Sequence, residues 1–328
     1  MSLSLAVAVE SFPIAGSFTI SRGSRTEAIV VAVTLSDGRV AGRGECVPYA
    51  RYGETVDGVV EAIRSVEPHL AEPDFDRARL AEVLPAGAAR NALDCALWDL
   101  EAKASGTSVA ERLGLVGSTP LVTAYTLSLG SPESMADKAK EVAHRPLLKV
   151  KLGGDGDGAR IAAVRAGAPK SRLIVDANEA WREANLAANL AACEAAAVEL
   201  IEQPLPAGDD AALRGLASPI AICADESLHT VADLAGLRDR YSAINIKLDK
   251  AGGLTEALAM AAEARRLGYR IMIGCMVGTS LAMAPATLLA RLADFVDLDG
   301  PLLLARDRIP GLRYEGSAMW PPEAALRG

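Results

Sequence analysis

Histidine is scarce in this chain, with three residues in 328 (His69, His144 and His229), and each falls in a segment read as helix or loop, where it packs or hydrogen-bonds rather than catalyses. Aromatic residues make up only 4% against 50% hydrophobic, so the core must be aliphatic and alanine-rich, as in many α/β enzymes. The cysteines (Cys46, Cys95, Cys193, Cys223, Cys275) are odd in number, scattered and never spaced as CxxC. They read as reduced core residues of a cytoplasmic protein, not as a disulfide framework. No basic run is present that could track a phosphate backbone, and 34 basic against 42 acidic residues give a net charge of −8, which excludes nucleic acid as a partner. No basic segment leads into a long apolar stretch at the amino terminus, and Glu10 interrupts early, so no signal peptide is expected. The uncharged stretch from Ile271 to Ala290 is long enough to suggest a membrane span, but Gly274, Gly278, Thr279, Ser280 and Pro285 break it into a strand, a turn capped near Ser280 and an apolar helix.

What is present divides the chain. Thr26 to Leu35 and Val40 to Cys46 flank an Asp37-Gly38 turn, an antiparallel hairpin signal. Helical spacing follows in Val56, Val59, Val60, Ile63 and Val66, and again in Ala89, Leu93, Ala96, Leu97 and Leu100. Residues 1–120 are therefore expected to form an α+β domain. From Leu121 onward short apolar strands alternate with helices, the pattern of a parallel sheet. Eight strand candidates are Leu121–Leu129, Leu147–Leu152, Arg172–Asp176, Val198–Glu202, Ile220–Asp225, Ala243–Leu248, Tyr269–Met276 and Phe295–Asp299. Helices are expected after Ser131-Pro132 and over Leu254 to Leu267. Eight regular units favour a closed (β/α) barrel over residues 121–300, ahead of an open sheet or a solenoid. Residues 301–328, with Pro301, Pro310, Pro321 and Pro322, are expected to pack back on the first domain.

Three of these strands end on a carboxylate: Asp176, Glu202 and Asp225. A charge at the end of a buried strand is costly unless paired or metal-bound, so one shared ionic site is expected. Three oxygen ligands with no His or Cys suit a hard divalent cation, Mg²⁺ ahead of Mn²⁺ or Ca²⁺. Lys149 and Lys151, two residues apart, leave one face of the second strand, and Lys247 lies on the sixth, across the barrel. A substrate between Lys151 and Lys247 would offer one face to each. A divalent cation can stabilise the enediolate formed when an α-proton leaves, so two opposed lysines permit epimerisation. Crowding by Lys149 and the metal is expected to lower the pKa of Lys151.

At these residues the chain resembles the enolase superfamily, in its muconate-lactonizing-enzyme-like branch. Lys149-Val150-Lys151 resembles the KxK motif, and Asp176-Ala177-Asn178, Glu202-Gln203-Pro204 and Ala224-Asp225-Glu226-Ser227 resemble the three metal-ligand motifs. Lys247 with Ala251-Gly252-Gly253 resembles the second base. The likeness covers nearly the whole chain. It implies a (β/α)7β-type TIM barrel with an N-terminal α+β capping domain completed by the C-terminal tail, Lys151 and Lys247 as acid/base pair, Asp176, Glu202 and Asp225 as Mg²⁺ ligands, and Lys149 steadying the substrate carboxylate. The branch with a His-Asp dyad is set aside, because Ile271 to Met276 holds no histidine.

Within the branch, the resemblance is to L-Ala-D/L-Glu dipeptide epimerases. Phe295-Val296-Asp297-Leu298-Asp299 resembles the aspartate pair that receives the dipeptide ammonium, and Asp297 and Asp299 share one strand face. Ser21-Arg22-Gly23-Ser24-Arg25 resembles the loop supplying an arginine to the glutamate carboxylate, Arg22 first and Arg25 second. Thr126, Cys275 and Met276 are weaker carry-overs to the pocket. The expectation is an isomerase that inverts the α-carbon of a dipeptide's carboxyl-terminal residue in cell-wall (murein) peptide recycling, with no organic cofactor, no membrane partner and a homo-oligomer allowed. Rivals on the same site are o-succinylbenzoate synthase, N-acyl amino acid racemase and muconate cycloisomerase; a Schiff-base lyase and a non-catalytic metal-stabilised binding protein are rivals of other kinds. Gly153 to Asp157 reads as a βα loop, Gly252-Gly253 equally as a phosphate site at a helix N-terminus or as a tight strand-to-helix turn, and Glu226 as pointing away from the site if its strand continues.

Overall fold

The structure is a computed structural model describing residues 3–72 and 75–327. The expected hairpin is present as β2 (Gly23–Ser36) and β3 (Ala41–Cys46), and Asp37 closes it by accepting from the N–H groups of Arg39 and Val40 at 2.8 and 2.9 Å. A longer strand precedes it. β1 (Ser4–Ile20) pairs antiparallel with β2 from Ser4↔Ser36 to Ile20↔Gly23, with a register shift between Pro13 and Phe18. Such an irregularity bends a ribbon. The tip, Ser21-Arg22, is thereby carried to the barrel mouth, where Leu129 N–H donates to Thr19 O at 3.0 Å and Ser21 Oγ to Asn178 O at 3.0 Å. Pro13 and Gly16 hid this strand from the sequence reading, although Leu5, Val7 and Val9 alternate.

The helix Ala88–Ser105 lies on β3. Gly42 and Gly44 allow the contact: a Cβ at either would stand 2.1 Å from Ala96 O or 2.0 Å from Ala92 O. Val31, Val33, Leu35, Ile63, Leu93 and Leu97 fill the space beneath, a second core separate from the barrel's.

The expected strand Leu121–Leu129 is two strands. β4 (Leu121–Val122) leaves the barrel sheet, and β5 (Tyr125–Leu127) enters it. The break follows from Thr123, whose N–H donates to Ser317 O while its Oγ1 accepts from Leu298 N–H. Seven more strands follow in parallel and in chain order: β6 (Leu147–Lys151), β7 (Arg172–Asp176), β8 (Val198–Glu202), β9 (Ala221–Ala224), β10 (Ala243–Ile246), β11 (Arg270–Ile273) and β12 (Phe295–Val296). Ala124 N–H donates to Val296 O at 2.8 Å and joins the two ends of the curled sheet. The stretch from Ile271 to Ala290 resolves into β11, a turn and the helix Ser280–Ala290 capped by Thr279. Among the described residues no helix is long and apolar enough to cross a membrane.

One buried side chain from each of seven barrel strands, with Ala124 just ahead of β5, forms an interior layer: Ala124, Leu147, Ile174, Leu200, Cys223, Ala243, Met272 and Phe295. Strand side chains alternate with period two, so adding two to each number gives the next inward layer: Thr126, Lys149, Asp176, Glu202, Asp225, Asn245, Gly274 and Asp297. The apolar layer is the floor on which the polar one stands. Residues beyond Gly300 touch both halves of the molecule. Arg308 pairs with Glu45 at 2.7 Å and with Glu10, Arg43 donates to Leu326 O at 2.7 Å, and β13 (Tyr314–Glu315) and β14 (Ala318–Met319) extend β4.

Candidate active site

Parallel pairing sets Lys151 level with Asp176 and Asp176 level with Glu202, at the carboxyl ends of β6, β7 and β8. Asp225 and Lys247 each follow directly on β9 and β10. Since β6 and β10 are four strands apart in a ring of eight, Lys151 and Lys247 stand on opposite walls. Both line a cavity of about 430 Å³, together with Asp225, Asn178, Tyr52 and Met276.

Each lysine is held by carboxylates. Lys151 Nζ lies 2.6 Å from Asp176, and Lys247 Nζ lies 2.6 Å from Asp225 and 3.7 Å from Glu202. Lys149 Nζ sits amid three, at 2.7 Å from Glu202 and Asp297 and 3.1 Å from Asp176. Burial alone would lower the Lys247 ammonium, but Asp225 and Glu202 outweigh it and hold it well above the usual lysine range. Lys149 is raised likewise by Asp297, Glu202 and Asp176 against its burial. Burial pushes Asp176 up, yet Lys151 and Lys149 outweigh it and hold the carboxyl below its ordinary value. Asp225 is held low by Lys247 and Lys250 against the same burial. Glu202 goes the other way, to about 8, through burial and the neighbouring Asp176 charge.

Among the described residues no three carboxylate, histidine or cysteine side chains already form a metal-ligand cluster; the lysine ammonium groups stand where ligands would converge. Asp176, Glu202 and Asp225 nevertheless fit a hard cation. All are buried oxygen donors, and Glu202 Oε2, though 2.7 Å from Lys149 Nζ, accepts no hydrogen bond in a usable direction. Asn245, inward on β10, donates to Glu202 Oε1 at 2.7 Å and fixes that carboxylate's rotation.

The remaining expected residues divide. Cys275 and Met276 line the cavity; Thr126, Lys149, Asp297 and Asp299 are buried and do not. Asp299 accepts from Thr126 N–H at 2.6 Å, and burial with the Asp297 charge raises it to about 7. Asp297 Oδ1 is buried with no partner. Arg22 is already engaged, with Glu226 at 2.8 Å, Glu179 at 3.1 Å and Tyr49 at 3.0 Å. Arg25 also lines the cavity, over the Tyr49 ring, and among the described residues no carboxylate lies within ion-pair distance of it.

Glu226 does not point away. β9 ends at Ala224, so the alternation expected for a continuing strand no longer applies, and Glu226 faces the cavity, where it accepts from Arg22 and Asn178. Gln203 explains that turn: its Oε1 accepts from the N–H groups of Asp225 and Ser227 at 2.9 and 3.1 Å. The sequence reading also passed over Lys250. Its Nζ donates to the backbone oxygen of Asp225 and, at 2.5 Å, to its carboxylate, fixing that side chain from behind. The repeated charge in Lys247-Leu248-Asp249-Lys250 was the available signal.

Asp249 is buried, accepts from Val47 N–H at 3.0 Å and Asn91 Nδ2 at 2.8 Å, and is pushed up to about 7 by burial. A raised folded-state pKa means that its contribution to stability is complete below an ordinary aspartate pKa and is lost as pH rises through about 7. The pH slopes of unfolding of the native chain and of Asp249→Asn, measured by urea from pH 5 to 8, should therefore differ by about 1.4 kcal/mol per pH unit up to about pH 7, with the native chain losing ground as pH rises, and become equal above it. Equal slopes throughout would contradict this.

Carboxylates on three consecutive strand ends, between lysines on opposite walls and beneath an α+β cap, define a barrel of the enolase superfamily. The chain belongs to its mandelate racemase / muconate lactonizing enzyme family: that family's N-terminal domain model matches residues 3–114, and the enolase C-terminal domain-like model matches residues 134–323. It is 48% identical to an L-Ala-D/L-Glu epimerase of Escherichia coli (strain K12), over 93% of this chain and 95% of that protein. It is 47% identical to an N-acetyl-D-glutamate racemase of a Pseudoalteromonas species, over 91% and 95%. Among solved structures, an enolase family member from Agrobacterium tumefaciens with homology to dipeptide epimerases, bound to sodium and L-Ala-L-Glu, matches with TM-score 0.97 and 57% identity over 99% of this chain and 100% of that one. A dipeptide epimerase from Methylococcus capsulatus complexed with Mg and L-Arg-D-Lys matches with TM-score 0.87 and 32% identity over 98% of each chain.

Proposed function

We propose that this chain is a dipeptide epimerase, an isomerase interconverting L-Ala-D-Glu and L-Ala-L-Glu at the glutamyl α-carbon, in the cytoplasmic recycling of cell-wall peptides. The observation that carries the reading is the placement of Lys151 and Lys247 on opposite walls of one cavity. In this reading residues 121–300 catalyse, residues 1–120 cap the site with the substrate-specificity loops, and residues 301–328 complete the cap. Asp176, Glu202 and Asp225 hold Mg²⁺, with Mn²⁺ an admissible substitute and no organic cofactor. Such a cation supplies Lewis-acid stabilisation of the charge that develops on the substrate carboxylate as the α-proton leaves. Lys151 and Lys247 do the proton work: one, as the amine, accepts the proton from one face, and the other, as the ammonium, donates to the opposite face. Lys149, buried among carboxylates, balances their charge, and the resemblance gives it the further role of steadying the substrate carboxylate. Lys250 and Asn245 hold Asp225 and Glu202 in position.

For substrate recognition, Arg25 is the better-placed arginine for the glutamyl side chain, because Glu226 and Glu179 already neutralise Arg22. Asp297, with one oxygen unpartnered, is the group for the dipeptide ammonium. A second reading rests on the same aspartates. Asp297 is paired with Lys149, Asp299 is raised to about 7, and neither lines the cavity, which suits an N-acyl glutamate carrying no ammonium.

Incubation in deuterated water with Mg²⁺ decides between them. L-Ala-L-Glu should exchange its glutamyl α-proton and invert with kcat/KM at least about tenfold above that of N-acetyl-L-glutamate, and Asp297→Asn should remove that preference by weakening the dipeptide alone. A preference for N-acetyl-L-glutamate would select the second reading.

A further inference from the structure

Asn178 follows Asp176, the last residue of β7, by two positions and sits in the left-handed region, at φ 42°. It is buried on the wall of the cavity that holds Lys151, and four of its polar atoms are engaged. Its N–H donates to Asp176 Oδ1 at 2.9 Å. Its carbonyl oxygen accepts from Arg22 Nη1 at 2.9 Å and from Ser21 Oγ at 3.0 Å, both at the tip of the β1–β2 hairpin. In the side chain, Nδ2 donates to Glu226 Oε1 at 3.2 Å, and Oδ1 accepts from Lys151 Nζ at 3.2 Å. The same Glu226 oxygen accepts from Arg22 Nη2 at 2.8 Å.

The two ends of this amide are not interchangeable. An ammonium has donors only, so Lys151 can use only the amide oxygen, while the Glu226 oxygen calls for the amide NH₂. Both neighbours therefore turn the amide the same way, and a line of side chains runs from the cap tip through Arg22, Glu226 and Asn178 to Lys151. Lys247 is held differently. Its Nζ meets Asp225 at 2.6 Å and Glu202 at 3.7 Å, and among the described residues no amide oxygen accepts from it. Those two carboxylates and Asp176, the other partner of Lys151, are the three that fit a cation. Once they turn to a cation, Lys151 retains the Asn178 oxygen, a neutral acceptor that aims the lysine without pairing its charge.

We infer that Asn178 is a positioning residue for Lys151, with Glu226 fixing the orientation of its amide. The inference rests on the reading of Lys151 and Lys247 as opposed acid and base. Asparagine also tolerates positive φ, and a role confined to the backbone would be served as well by glycine, which carries no side chain to aim anything. Asn178→Gly therefore separates the two roles: it keeps the turn and removes the amide.

The test is the initial loss of the glutamyl α-proton in deuterated water with Mg²⁺, followed separately for L-Ala-D-Glu and L-Ala-L-Glu. The epimer that Lys247→Ala still exchanges reports on Lys151, and the other epimer reports on Lys247. Asn178→Gly should slow the first by about tenfold to 10²-fold and the second by less than about threefold, the cost of a misaimed base on one face only. Glu226→Ala, which frees the amide to turn, should shift the ratio of the two rates in the same direction. Glu226→Gln, which keeps an oxygen for both donors, should return that ratio toward the native one. A native ratio in Asn178→Gly, or an equal fall in both rates, overturns the inference. Should the native chain exchange neither epimer, the proposed function falls by itself. The inference is then decided, as it is if the variants fail to fold, by a crystal structure of the native chain with Mg²⁺. There Lys151 Nζ should keep its hydrogen bond to Asn178 Oδ1, and a Nζ held by Asp176 alone overturns it.

Discussion

Lys247→Ala is expected to lose inversion of L-Ala-L-Glu by about 10²- to 10⁴-fold, the range for a positioned acid or base, while still exchanging the α-proton of one epimer with deuterated solvent. Lys151→Ala should show the mirror image, with loss of inversion and exchange of the other epimer. The reasoning is geometric. A lysine on β6 and one following β10 approach a bound α-carbon from opposite sides, so each serves one configuration. Removing one leaves the other able to take a proton and return it to the same face. A purely structural role for the lysines predicts something else, namely equal loss of exchange for both epimers. Proton NMR of the glutamyl α-position, run on each variant with each epimer, separates the two cases, and a variant that keeps full inversion would sink the two-base assignment.

The legibility of this site in the sequence follows from the strand period. Asp176, Glu202, Lys149 and Lys151 sit two or four residues beyond Ile174, Leu200 and Leu147 of the apolar layer, so alternation alone put them inside the barrel. Asp225 and Lys247 extend the same count by one step past the strand ends. Where the strand stops, the count fails. Glu226 lies in a turn shaped by Gln203, a residue just past the end of β8, and no local pattern carries that contact. Lys250 follows one helical turn after Lys247, and its charge was visible while its burial was not. Thr123 ended the first strand candidate by bonding to Ser317 and Leu298, both more than 170 residues away. The pairing of Arg22 with Glu179 and Glu226 was not legible either, because those glutamates belong to two barrel loops that meet only in the folded chain.

Stripping divalent cations with a chelator is expected to lower inversion by at least about 10³-fold, and Mg²⁺ should restore it. Without a cation, Asp225 above all, and Glu202 to the extent that it is ionised, hold Lys247 well above the usual lysine range against its burial, so through neutral pH it is an ammonium that can donate a proton but not accept one. A cation that takes those carboxylates removes the charges that hold the ammonium up and adds a positive charge beside it, so the lysine pKa falls toward the working range. Glu202 gives the effect a pH signature. With its pKa at about 8, it is mostly protonated at pH 7, and the metal must displace that proton. Half-saturating Mg²⁺ should therefore rise by about tenfold for each pH unit below about 8 and level off above it. Glu202→Gln, with no proton to displace, should bind Mg²⁺ more weakly and lose that slope. Activity titrations with Mg²⁺ at pH 6.5, 7.5 and 8.5 measure both. A chelated enzyme that stays active, or a Glu202→Gln variant with the native Mg²⁺ slope, would show that these carboxylates serve the barrel's charge balance and not a metal.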